Sequence, residues 1–183
     1  MVRIWRAACA VAMVAGSIAN LRGEVARPRP DDVSRASLMQ VCRPVPGQTL
    51  ETFYPVMPGW ERKDPTSETD TQESVSRTTV DFDRGVSTIS VEIMDSCRNP
   101  NVLMMMTESL KQLPPASGDT VVRHVTVNGF PGYVEWTAAA GHGELHVLVA
   151  GRFMIKVTGE MTDMPTLENA ATSIPMQKLA AMK

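Results

Sequence analysis

The sequence predicts an α+β fold: an antiparallel sheet of about six strands with two helices packed on it. Three observations carry that expectation. Apolar side chains alternate with polar ones through most of residues 74–159. The connections between the alternating runs are short and contain Gly, as in Arg84-Gly85, Asn128-Gly129 and Ala150-Gly151. Two segments, after Asn99 and near Pro165, switch to helical spacing, so strands and helices are segregated rather than interleaved.

Taken in chain order, the first element is a leader. Arg3 and Arg6 stand before the run AACAVAMVAGSIA, which ends in small residues at Ser17 and Ala19. A charged head, a short apolar run and small residues at the exit are the features of a secretory signal peptide, so residues 1–19 are expected to be removed after Ala19. An uncleaved anchor is the alternative, although the run is shorter than the ~20 residues a bilayer requires. Removal takes two positive charges and moves the net charge from −2 to −4. That balance offers no basic footprint for nucleic acid. Cys9 departs with the leader, leaving Cys42 and Cys97 as an even pair in an oxidising compartment. A disulfide is expected, with two free thiols as the alternative.

Residues 20–47, with five Arg and four Pro, read as an extended lead-in, and 48–183 as a single α+β domain. Within it, Phe53–Lys63 reads as two short strands about a Pro-Gly turn, and 64–72 as a polar loop. Ser74–Asp83 and Val86–Met94 form a hairpin, with Val80 and Phe82 on one side and Ile89, Val91 and Ile93 on the other strand. Asn99-Pro100 opens a helix carrying Leu103, Met106, Leu110 and Leu113 on one face. Four strands follow as a meander (121–127, 132–137, 144–150, 152–159), and a helix from about Pro165, restarted at Pro175, closes the chain.

FYPVMPGW at 53–60, VNGFPGYVEW at 127–136 and VLVAGRFMIKVTG at 147–159 with the helix after it are similar to segments of the PsbP-like and DcrB-like exported bacterial proteins. The resemblance covers residues 50–183 and implies an α/β/α sandwich. It also implies an accessory or binding role, and a eukaryotic relative of that superfamily binds the GTPase Ran. The superfamily has no shared catalytic motif, so no catalytic residue is carried over.

Candidate chemistry is sparse. His142-Gly-Glu-Leu-His146 lies in a strand pattern, where positions i and i+4 are about 13 Å apart, so a zinc site is not expected. Asp81 and Asp83 with Glu92 opposite read as a solvated hairpin face. Thirteen methionines make core filler the default use of this residue. Met161 and Met164 with His142 or His146 form the one thioether and imidazole set that invites a Cu(I) test. His124, Thr126 and Asn128 on one strand face, with Trp60, form a candidate binding surface, while Trp136 is expected to point inward.

The expectation is therefore an exported, non-catalytic binding or accessory protein that needs no cofactor, engages an unidentified protein partner or membrane complex, and has no integral membrane segment once the leader is gone. A periplasmic Cu(I)-handling protein is the alternative. An uncharacterised hydrolase is the third option, and it would need a concave pocket holding at least two polar groups of perturbed protonation.

Overall fold

The computed structural model describes residues 42–183 apart from Arg98, Pro114 and Lys183. The expected leader 1–19 and residues 20–41 of the lead-in lie outside the described residues. The chain folds as α+β around one antiparallel sheet. Its elements are a helical turn α1 (Gly47–Leu50) continued by a 3-10 turn (Glu51–Phe53), then β1 (Glu61–Arg62), β2 (Thr66–Asp70), β3 (Val75–Arg84), β4 (Ser87–Asp95) and α2 (Pro100–Lys111). The second half supplies β5 (Thr120–Val127), β6 (Phe130–Thr137), β7 (His142–Val149), β8 (Phe153–Glu160), α3 (Met164–Thr172) and α4 (Met176–Ala180). The strand order is β1-β3-β4-β8-β7-β6-β5, with β2 also paired to β3. Among the described residues no helix is long and apolar enough to cross a membrane.

Register decides which side chains meet. Val80 pairs with Val91 and Phe82 with Ile89 between β3 and β4, while Val91 pairs with Val157 and Ile93 with Ile155 between β4 and β8. Leu145 then pairs with Val157 and Val134 with Leu145, so one apolar row runs across the sheet. All of these side chains are buried, together with Leu50, Leu167, Ile174, Met176 and Leu179 from α1, α3 and the segment into α4. This inner face is the core. The opposite, outer face carries the alternate residues and, among the described residues, is crossed by α2.

Trp136 points into the core, as its position in the alternation predicts, and it sits opposite Gly143. A Cβ on Gly143 would lie 2.5 Å from Trp136 Cε3 and 2.4 Å from the Glu135 carbonyl oxygen, so the glycine is what admits the indole. Gly143→Ala is expected to cost about 1–3 kcal/mol through this overpacking, read as a lower urea midpoint with a red-shifted Trp emission.

The structure corrects four expectations. The sheet has eight strands rather than six, counting the two-residue β1 and the β2 that the polar 64–72 segment contains. That strand is almost wholly exposed, so no apolar alternation marks it, and it holds its place through backbone pairing from Thr66↔Thr79 to Asp70↔Val75. Phe53 closes a helical turn rather than opening a strand, because Leu50 and Phe53, three apart, bury a helical face and not an alternating one. Residues 42–47, assigned to the lead-in, are tied to the domain: Val45 is buried, and its N–H donates to Asp95 Oδ2 at 2.8 Å. Asn128 leaves the β5 face and enters the turn, with positive φ at both Asn128 and Gly129 as a two-residue hairpin requires.

Cys42 and Cys97 form a disulfide with Cα atoms 5.6 Å apart and a sequence separation of 55. Beside it lies a buried ion pair. Arg152 Nε and Nη2 donate to Asp95 Oδ1 and Oδ2 at 2.8 and 2.7 Å, and the Cys97 N–H also donates to Oδ1. Asp95 is 0% exposed. One carboxylate thus joins the entering segment, the end of β4, the disulfide and the start of β8.

Candidate functional site

The outer face becomes a site because α2 crosses it without closing onto it. The helix starts cleanly: Asn99 Oδ1 accepts the Asn101 N–H at 3.0 Å, Pro100 occupies the first turn, and Asn99 Nδ2 donates to the Glu73 carbonyl at 2.8 Å. Val102, Met106, Ser109 and Leu110 recur at helical spacing and line the side facing the sheet, with the largely exposed Met105 at the rim, yet only Met106 is buried. Between helix and sheet lies a groove of about 490 Å³. Its floor is Val75 of β3, Met94 of β4, Met154 of β8 and Leu148 of β7, all on the outer side of their strands.

Polar groups sit along one flank. Tyr133 and His146, paired across β6 and β7, stack with centroids 4.6 Å apart and planes 7° from parallel. His146 Nε2 lies 3.0 Å from Glu144 Oε2, and Lys156 Nζ lies 2.8 Å from Glu144 Oε1. The bond from His146, ahead of the bond from Lys156, holds the Glu144 carboxyl down at about 2 against an ordinary 4.5. Burial, and next the Glu144 charge, pushes the Tyr133 hydroxyl up from 10.0. Arg77 stands 3.8 Å from each of Glu68 and Glu92. The charges at the rim are therefore paired, and the groove itself is apolar.

Because Glu144 is lowered on folding, its contribution to stability is complete above about pH 4.5 and is lost as pH falls toward about 2. Urea midpoints measured through that window should fall for the native chain and fall less for Glu144→Gln.

The residues singled out in the sequence do not gather in one place. His146 lies in the groove. His142, on the same side of β7, pairs through Nδ1 with Glu160 Oε1 at 3.0 Å. Met161 is exposed in the turn after β8, and Met164 opens α3 on the core side, where Arg123 Nη2 approaches its sulfur at 3.7 Å. The Met161/Met164 pair with a histidine is thus split between the two sides of the sheet. His124 and Thr126 remain on the outer face of the edge strand β5, but Asn128 Nδ2 reaches over to the Thr172 and Ile174 carbonyls at 2.9 and 3.1 Å. Trp60 lies by the opposite edge of the sheet under the Arg84 guanidinium, 4.4 Å from its ring centroid. Asp83 is engaged by Thr88 and Lys63. What sequence reading missed is the outer wall of thioethers, Met94 and Met154. Their signal was parity: each is one residue out of step with the buried Ile93 and Ile155.

No family model matches the chain, and no curated protein and no solved structure matches it.

Proposed function

We propose that the protein is an exported, non-catalytic binding or accessory protein of the PsbP-like and DcrB-like kind, serving a protein partner or membrane complex, with the groove beneath α2 as its binding site. The observation that carries this reading is the groove's construction: apolar side chains on both walls and a polar flank on one side, as ligand sites are built. Export is supported by the Cys42–Cys97 disulfide, which fits an oxidising compartment.

The test uses the full chain expressed with its own leader and purified after processing, with Asn20 expected as the new N-terminus. The apolar dye 8-anilinonaphthalene-1-sulfonate should bind the native protein saturably, at one site. Leu148→Trp, which fills the floor of the groove, should weaken binding by about tenfold or more, equivalent to 1.4 kcal/mol, while leaving the melting temperature close to that of the parent. Undiminished dye binding in that variant would remove the groove as the site.

A further inference from the structure

We propose that the groove holds Cu(I), bound by the thioethers of Met94 and Met154 from the sheet and Met106 from α2, with His146 supplying a nitrogen ligand. The inference rests on the groove being the binding site and names its ligand.

The register places the first two donors together. Met94 and Met154 are directly opposed across β4 and β8 on the outer face, a relation that brings Cβ atoms within about 4.5–5.5 Å. Met154 is also opposed to Leu148, so His146, two residues earlier on β7, is its diagonal neighbour, at the ~7–8 Å that long side chains span. Met106 faces the same groove from above. Sulfur donors thus come from three separate elements; of the consecutive Met104, Met105 and Met106, Met106 is the buried one, while Met105 borders the groove largely exposed.

His146 has the environment of a ligand. Its Nε2 is bonded to Glu144, and Glu144 is itself held by Lys156. A carboxylate can only accept, so Nε2 donates to it and Nδ1 is the nitrogen left for a metal. A carboxylate fixing the far nitrogen is the usual outer support of a metal-bound histidine. The donor set also selects the ion: neutral thioethers with one imidazole suit soft Cu(I), whereas Ca(II) and Mg(II) demand oxygen. Methionine's unbranched, rotatable side chain lets the same residues line an apolar groove when no ion is present.

The test is an anaerobic titration of the full, processed chain with Cu(I), kept reduced by ascorbate, in competition with the chromogenic chelator bicinchoninate. One equivalent should bind. The Met94→Leu/Met154→Leu double variant, which preserves apolar volume, should lose more than about a hundredfold in affinity, and Glu144→Gln about tenfold, within the range for outer-shell partners. Met161→Leu/Met164→Leu should bind as the parent does. Absence of Cu(I) uptake, or uptake unchanged by the Met94/Met154 substitutions, overturns the inference. If such a protein still binds the dye in a Leu148-dependent way, the groove reading stands and only the metal is wrong; if dye binding ignores Leu148 as well, both fail.

Discussion

Asp95→Ala should lower the unfolding free energy by about 3–5 kcal/mol, the range found when one member of a buried ion pair is removed. Arg152, 7% exposed, would keep its charge with no carboxylate to meet it. The Val45 and Cys97 N–H groups would lose their acceptor at the same time. Guanidinium unfolding of the oxidised protein, followed by Trp fluorescence, reads the loss. A paired apolar replacement, Asp95→Leu with Arg152→Met, should recover only part of it, because the two backbone donors stay unsatisfied. Full recovery would mean that the carboxylate serves Arg152 alone.

Breaking the Cys42–Cys97 bridge ranks second. The 55-residue separation sets a chain-entropy loss of about 4 kcal/mol, with measured values commonly between about 2 and 4. Cys42→Ser/Cys97→Ser should therefore unfold at clearly lower denaturant, and the parent protein should match it once reduced. The two perturbations share a structure. Asp95 holds both ends of the bridged segment, through Val45 on one side and Cys97 on the other, so the triple variant should lose less than the separate losses combined. Strict additivity would show that the carboxylate and the bridge stabilise different parts of the domain.

These effects were only partly legible in the sequence, for physical reasons. The β3–β4 hairpin was, because both strands bury one face and leave the other wet, so Val80 and Phe82 alternate in step with Ile89, Val91 and Ile93. The β5–β6 turn announced itself through Asn128-Gly129, the pair that tolerates positive φ twice. Helix α2 was marked by Asn99 and Pro100 in their capping positions. By contrast, β2 has no buried face to write a pattern, and its existence depends on the free edge of β3. The Asp95–Arg152 pair joins residues 57 apart, and no local spacing encodes it. The Cys42–Cys97 pairing was legible only through the parity of the cysteines left after the leader.

The groove belongs to the same nonlocal class. Alternation put His146 on a sheet face, but its stacking on Tyr133 needs the β6–β7 register, and its nearness to Met154 needs β7 beside β8. The sequence read α2 as a helix with Leu103, Met106, Leu110 and Leu113 on one face. The finding that only Met106 is buried depends on how far the helix stands from the sheet, which no run of residues records.

Methionine methyl spectroscopy distinguishes the competing locations most sharply. With 13C-methyl methionine incorporated into the processed full chain and 8-anilinonaphthalene-1-sulfonate added stepwise, the resonances of Met94, Met105, Met106 and Met154 should move together and saturate, while Met57, Met161, Met164 and Met176 hold still. Saturable shifts confined to Met57 and Met161, or uniform small shifts across all methionines, would contradict a binding site beneath α2.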